Sequence, residues 1–375
     1  MRILYGVVGE GMGHATRSAV VLEHLLDAGH DLRVIVSGRA HAFLRDRFGG
    51  HERVSVEEIQ GITLRYFANR LDRAGSLFWN LKNAPKAVKK SIEVYRKAAE
   101  DGFRPEAVVS DFESWAALYG LHHGLPVVSI DNIQIVNRAR HDKAIKKGKG
   151  FDFRLARIAV KMKVPGAYHY LVSSFFFPPV RKRYTSLVPP ILRKEVLAAR
   201  REPGEHVVVY QRIVGTREIL AILRELPFEF RLYGAESEGQ EGNVALRPFS
   251  SAGFLEDLRT ARAVIAGGGF SLMSEAVSLG VPMFSVPIER QFEQELNARY
   301  LAHLGYGAWG RTLGREGMEA FLARVPEYSK ALTAYPRQDN SMLFRCLDEL
   351  LARIEGGKKR PKRLQSETMG AYEGK

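Results

Sequence analysis

Cysteine is almost absent. The single Cys346 among 375 residues cannot close an internal disulfide, which excludes a disulfide-stapled scaffold and fits a reducing cytosol, with Cys346 itself read as a buried helix residue. Long apolar runs are missing too, since none reaches the ~18 residues needed to cross a bilayer. The first apolar stretch, Arg2 to Val8, is too short for a secretory signal and runs straight into a glycine-rich loop. No Asp-X-Asp sequence and no His/Cys cluster at metal-ligand spacing occurs, so neither a bound metal nor a cofactor is expected. Acid is also in short supply: 42 Asp and Glu stand against 56 Lys and Arg, a net charge of +14. The excess is local. Residues 133–184 hold 13 Lys/Arg and 2 Asp, the tail 358–375 holds 6 Lys/Arg and 2 Glu, and the remainder is close to neutral. Such a segment implies an anionic partner (phospholipid, nucleic acid or a phosphorylated substrate) or else a solubilising face.

What is present is ordinary for a globular protein: 45% hydrophobic and 26% charged residues. The length suggests two domains at ~150 residues each. Strand and helix signals alternate in the first half. Strands are predicted at 2–8, 32–36, Glu106–Ser110 and Pro126–Ile130, with helices at 15–28, 77–100 and Glu113–His122. The second half repeats the plan, with strands at His206–Tyr210, Glu229–Leu232, Asn243–Arg247, Ala263–Ala266 and Met283–Val286 and helices between them. This is an α/β chain of two tandem lobes, each a parallel sheet covered by helices. The expected division is 1–188, 189–338, a C-terminal segment at 339–356, and a disordered basic tail at 357–375; Pro189-Pro190 marks the linker.

In open α/β sheets ligands bind beyond the carboxyl ends of the strands, so the loops there come first. After the first strand comes Gly9-Glu10-Gly11-Met12-Gly13-His14. The spacing is not that of a dinucleotide fingerprint, and the second strand ends in Val36-Ser37-Gly38-Arg39 without an acid for a ribose. A His at a helix start suits proton transfer, because the helix dipole favours the neutral base; a loop-capping His is the alternative. Asp111 follows the third strand on the same sheet edge and is expected either to orient His14 or to cap the helix beginning at Glu113. In the second lobe, Gly267-Gly268-Gly269-Phe270-Ser271 follows a strand and opens a helix, exposing backbone N–H groups to a diphosphate. Glu275 lies one turn further on, and Glu293 and Gln294 lie at the start of the next helix, as sugar contacts or as capping groups.

The run Gly267-Gly268-Gly269, Glu275-Ala276, Gly280-Val281-Pro282, Pro287 and Glu293-Gln294-Glu295-Leu296-Asn297-Ala298 resembles the donor signature of GT-B glycosyltransferases. It is most similar to the MurG, monoglycosyldiacylglycerol synthase and UDP-glucuronosyltransferase type. Gly9 to His14 and Val108 to Ala116 resemble that family's N-terminal loop and the strand and loop of its acid. Gly267 stands where plant-type members carry His, and the stretch from Pro287 to Asn297 is two residues longer than theirs. The resemblance implies two Rossmann-like domains facing across a cleft, with a C-terminal helix crossing back to the first. It implies an inverting, metal-independent hexosyl transfer from a nucleotide-diphosphate sugar, most simply a UDP-sugar, to an acceptor hydroxyl. His14 would be the base and Asp111 its orienting acid. Gly268, Gly269 and Ser271 would hold the diphosphate, with the loop Gln211 to Thr216, Gly215 included, closing over it, and Gly11, Gly13 and Phe270 would belong to the same donor site. Glu275 would take the ribose, Phe249 and Ser250 would lie by the uracil, and Glu293 and Gln294 would contact the sugar.

For the acceptor, Phe151, Leu155, Ile158 and Met162 fall at helical spacing beside Arg154, Arg157 and Lys161. That pattern suits either a helix lying on an anionic membrane, with a lipid-linked or cell-envelope acceptor, or a core-facing stripe. The expected location is cytoplasmic, on the inner membrane face if the helix docks. A UDP-sugar epimerase on the same scaffold is the alternative enzyme and a basic nucleic-acid-binding protein the alternative of another class, though no nucleic-acid motif is evident.

Overall fold

The computed structural model describes the chain except for Glu10, residues 62–64 and 68–69, Lys149, residues 211–215 and 236–237, Arg363 and residues 365–375. Its first lobe carries β1 (Arg2–Val7), β2 (Asp31–Ser37) and β3 (Val54–Ile59), then a separate hairpin of β4 (Arg65–Phe67) and β5 (Arg70–Asp72). β6 (Ala107–Asp111), β7 (Val127–Asp131), β8 (His169–Ser173) and β9 (Thr185–Val188) complete a seven-stranded parallel sheet in the order β3-β2-β1-β6-β7-β8-β9. The second lobe is built from β10 (Val207–Tyr210), β11 (Phe230–Tyr233), β12 (Gly239–Glu241), β13 (Val244–Arg247), β14 (Ala263–Gly267), β15 (Met283–Val286) and β16 (Gly307–Trp309). Their order is β12-β13-β11-β10-β14-β15-β16, parallel except at β12–β13. The central strands, such as Val207-Val208-Val209 and Ala263 to Ala266, are apolar without alternation because helices cover both faces.

Seven helices matter for the site: α1 (Met12–Asp27), α2 (Ser114–His122), α3 (Gly150–Lys163), α4 (Ser251–Thr260), α5 (Phe270–Leu279), α6 (Phe292–His303) and α7 (Ser341–Glu355). The repeat Ala15, Ala19, Leu22, Leu25 makes one apolar stripe on α1, which packs on Ile3 and Tyr5. The last helix, α7, buries Met342, Leu343, Cys346, Leu347 and Leu350 in that same cluster, so the chain ends by packing on the lobe where it began. The lobes are also joined directly. Phe176 stacks on Tyr300 at 3.8 Å between ring centroids, and His141 Nδ1 is 2.9 Å from the Tyr300 hydroxyl.

The first sheet extends further than the sequence pattern indicates. β8 lies inside the basic segment and β9 directly follows it; they are five and four residues long and carry His169, Tyr170, Thr185 and Ser186 among their apolar residues, yet both are wholly buried. Burial there is settled by the helices laid over them, which short strands do not announce in their own composition.

Candidate active site

The parallel register pairs Val7 of β1 with Asp111 of β6. That pairing puts the loop entering α1 and the end of β6 on one sheet edge, and His14 stands in the first turn of α1. After Asp111 the chain turns sharply: Phe112 has φ 55°, a left-handed conformation that costs a non-glycine residue about 1–3 kcal/mol. Ser110 spans this turn, donating its hydroxyl to the Glu113 carbonyl and accepting from the Glu113 N–H. Glu113 caps α2 through the N–H groups of Trp115 and Ala116. The cap expected as one role for Asp111 therefore belongs to Glu113, and the Asp111 carboxylate is left for α1.

There it lies 2.8 Å from His14 Nδ1. Arg17 grips it as a fork, Nε donating to Oδ2 at 2.9 Å and the second terminal nitrogen to Oδ1, while the Ser18 hydroxyl donates to Oδ2 at 2.8 Å. Burial would raise this carboxyl, 1% exposed, but the charges of Arg17 and His14 and the bonds they make hold it at about 2. His14 is pushed the other way: burial and then the Arg17 charge lower its pKa below the usual 6.5, against the pull of Asp111. Arg17 also donates to Asn132 Oδ1, and Asn132 Nδ2 donates across the lobe boundary to Glu293 Oε1 at 2.7 Å. Asn297 Nδ2 donates to the same oxygen at 2.6 Å. Burial pushes Glu293 up to about 7, with Asn297, Arg17 and Asn132 opposing.

The facing half is built from backbone. Gly269 precedes α5 with no side-chain cap and no acidic residue in the first turn, so the N–H groups there can receive an anion. A Cβ on Gly268 would stand 2.7 Å from the Gln294 Cβ, and one on Gly13 would stand 2.4 Å from the Ser271 hydroxyl oxygen. The first approach is internal to the second lobe; the second, Gly13 to Ser271, sets the start of α5 directly against the His14 turn of the other lobe. The Gln294 side-chain oxygen accepts from the Ile288 N–H at 3.0 Å, and Phe270 is buried against Phe175 of the first lobe. Glu275 is engaged: Arg193, just past Pro189-Pro190, donates to both its oxygens at 2.9 and 3.1 Å and to Ser251. Ser250 caps α4 through the Gly253 N–H, and the ring of Phe249 is 61% exposed beside Tyr210. Gly11 is exposed with φ 87°. Thr216 begins the helix Thr216–Leu223, whereas Gln211 and Gly215 lie outside the described residues.

Sequence reasoning missed Arg17, Asn132 and Arg193. Arg17 had a signal, a charge three residues after His14 within the apolar stripe of α1. Asn132 directly follows a strand, where the search that found Asp111 should have found it too. Arg193 had none, since the linker reads only as a spacer.

On α3, Phe153 and Val160 face inward, while Phe151 (78%), Ile158 (58%), Met162 (72%) and Leu155 (41%) are exposed. The apolar stripe noted in the sequence is thus a surface. A cavity of about 640 Å³ opens elsewhere, beyond β16, among Trp309, Arg311, Arg315 and Tyr328, and none of the expected site residues lines it. Among the described residues no helix is long and apolar enough to cross a membrane, and no group of three or more His, Cys, Asp or Glu is placed to hold a metal ion.

Comparison with known proteins bears on this geometry. The model of the family described as glycosyl transferase family 1 matches residues 1–326. An uncharacterized glycosyltransferase of Methanosarcina acetivorans is 27% identical over 336 residues, covering 82% of this chain and 85% of the relative. Among solved structures, the glycotransferase of kitacinnamycin superposes with a TM-score of 0.67 at 17% identity, covering 94% of this chain and 98% of that one. A UDP-glucosyltransferase from Polygonum tinctorium capable of glucosylating indoxyl follows at 0.65 and 14%, with 94% and 98% covered. The nucleic-acid-binding alternative is thereby set aside, and the chain belongs to glycosyl transferase family 1, as a glycosyltransferase of GT-B fold.

Proposed function

We propose that the protein transfers a hexosyl group from a UDP-sugar to an acceptor hydroxyl with inversion, using no resident metal. The observation that carries this reading is the contact of the two turns: His14, bound to Asp111, lies one residue from Gly13, and Gly13 touches Ser271 at the open start of α5. An alkyl hydroxyl is a weak nucleophile and needs a base within ~2.6–3.2 Å of its proton. With Nδ1–H assigned toward Asp111, Nε2 of His14 carries the lone pair, and no described residue bonds it. The acceptor proton passes to Nε2 as the acceptor oxygen bonds the anomeric carbon. The bond from that carbon to the diphosphate breaks on the opposite face, and the diphosphate leaves with the electron pair. Backbone N–H groups of Phe270 and Ser271 and the α5 dipole meet its charge. Glu275 takes the ribose while Arg193 fixes its carboxylate, Phe249 and Ser250 flank the base, and Glu293 and Gln294 face the sugar. The name of the Polygonum protein supports uridine as the nucleoside.

The acceptor reading rests on α3. Its last residue, Lys163, sits 5.4 Å from the Phe112 ring centroid, beside Asp111, so the exposed apolar face leads away from the dyad. Among the described residues Arg181 and Lys182 donate to Asn137 and not to an acid, and Lys182 is pushed down to about 8 by burial and then by Arg138, Arg181, Arg157 and Lys161. We read this face as docking on an anionic lipid surface, where a lipid-linked acceptor would be presented. Two experiments test the whole. A thermal-shift panel of UDP, dTDP and GDP should single out UDP, which at 100 times its dissociation constant adds about 2.7 kcal/mol; no response to any nucleotide refutes the donor. Vesicles containing phosphatidylglycerol should sediment the wild type and release a Phe151→Asp/Met162→Asp variant; equal sedimentation of both refutes the docking face.

A further inference from the structure

We propose that Arg17 is a positioning residue for the transfer: it shares Asp111 with His14, supplies that carboxylate's permanent counter-charge, and through Asn132 ties the arrangement to the meeting of the two lobes. The proposal rests on His14 being the base.

The geometry is a closed count of donors and acceptors. The two Asp111 oxygens accept from Arg17 Nε, the second Arg17 terminal nitrogen, the Ser18 hydroxyl and His14 Nδ1, which fills the capacity of a carboxylate. The carboxylate only accepts, so Nδ1–H is assigned toward it and Nε2 is left free; the Arg17 terminal nitrogen, 2.6 Å from Nδ1, would donate to the opposite tautomer, and the NMR test below separates the two. The remaining terminal nitrogen of Arg17 donates to Asn132 Oδ1, so the Asn132 amide has one orientation, with its NH₂ turned to Glu293 on α6 of the other lobe. A continuous hydrogen-bonded chain therefore runs from the dyad to a residue at the expected sugar site.

The charge count explains why a dyad alone would fail here. Asp111 is 1% exposed and Arg17 4%. With both ionised, the pocket is neutral when His14 is neutral. Without Arg17, the buried carboxylate has only His14 to neutralise it, and the imidazole rests protonated, already holding the proton it should accept. The cost is a weaker base, because the Arg17 terminal nitrogen is 2.6 Å from His14 Nδ1 and opposes the imidazolium. The gain is that the base form is populated before substrate arrives. Other charged or titratable groups facing this pocket do not replace Arg17. Lys163 on α3 is a cation that likewise opposes protonation of His14, Tyr5 on β1 is held neutral by burial, and Asp131 on β7 faces Arg17.

The test uses the full chain with ¹⁵N-labelled histidine. The His14 imidazole is identified by its loss in His14→Gln and titrated by NMR, which reports both midpoint and tautomer. Wild type should show the Nδ1–H tautomer and a midpoint below 6.5. Arg17→Gln should raise the midpoint by a unit or more and move the acid limb of the kcat–pH profile upward equally; below the new midpoint each unit removes about tenfold of the neutral imidazole. Arg17→Lys, which keeps the charge and guards against failure to fold, should hold the midpoint near wild type while losing part of kcat with the fork. Asn132→Ala should leave the midpoint low and reduce kcat more than it raises KM. If Arg17→Gln only lowers Tm, or Arg17→Lys shifts the midpoint as far as Gln does, Arg17 is merely structural and the proposal is overturned. Near-normal transfer by His14→Ala would instead overturn the base reading, a different and separable result.

Discussion

Two helices begin at the lobe boundary and begin in opposite ways. The first turns of α1 carry His14, Arg17 and Ser18, and their side chains surround one buried carboxylate. The first turn of α5 carries no acidic residue and no side-chain cap, and glycines precede it. One half of the site is made of side chains whose protonation matters; the other is made of backbone whose approach distance matters. The difference teaches where each kind of substitution should act. Chemistry should fail first on the α1 side, and binding first on the α5 side.

The sharpest way to break that division is His14→Ala. Loss of a general base costs typically 10²–10⁴-fold in rate. We expect transfer to fall by that order while UDP affinity, measured by calorimetry, stays within about twofold. A comparable loss of UDP affinity would show that the two halves are not separable.

Gly268→Ala probes the opposite half. Its Cβ would meet the Gln294 Cβ at 2.7 Å and the Pro287 Cβ at 3.0 Å, so backbone or neighbour must shift. Overpacking of this kind costs about 1–3 kcal/mol. Both Tm and UDP affinity should drop, with little change in the pH profile of the remaining activity. An unchanged affinity would remove the glycine turn from the donor site. A smaller effect is expected at Glu275, because Arg193 already neutralises it. Glu275→Ala should weaken UDP binding by about 1–2 kcal/mol, the range of one or two hydrogen bonds. In a double-mutant cycle Arg193→Ala should be non-additive with it; strict additivity would mean that Arg193 does not set the carboxylate's orientation.

How much of this could be read beforehand follows the same division. The glycine turn was legible because conformational freedom is written in residue type, and Gly267 to Gly269 stand at a strand end. His14 and Asp111 were legible because the parallel-sheet rule says which loops share an edge. The Phe112 turn and the Glu113 cap were not, since the φ of one residue decides whether Asp111 or Glu113 closes α2. Nor was the exposed face of α3. Its apolar stripe has the spacing of a core helix, and only packing shows that Phe153 and Val160, not Phe151 and Met162, turn inward. The Arg193–Glu275 pair joins residues 82 apart in the chain, a contact that no local pattern encodes.

Glu293 sharpens the comparison, because it stands on the backbone-built lobe but behaves like the side-chain-built one. Two carboxylates in one chain of hydrogen bonds are shifted in opposite directions: Asp111 is held at about 2 by Arg17 and His14, and Glu293 is raised to about 7 by burial, with the amides of Asn132 and Asn297 as its partners among the described residues. Their stability contributions must therefore change with pH in opposite directions. Asp111, depressed by folding, stabilises above its unfolded value near 3.8, and that contribution is lost as pH falls toward 2. Glu293, raised by folding, stabilises fully below its unfolded value near 4.5, and its contribution is lost as pH rises through about 7. Glu293→Gln keeps an oxygen for Asn132 and Asn297 and removes the charge. Relative to wild type it should gain stability between pH 5 and pH 8, on the order of 2 kcal/mol or less, seen as Tm curves that diverge with rising pH. Parallel curves would mean that Glu293 ionises freely at the boundary, and that the link from Arg17 through Asn132 ends in a solvated carboxylate, not in a contact between the lobes.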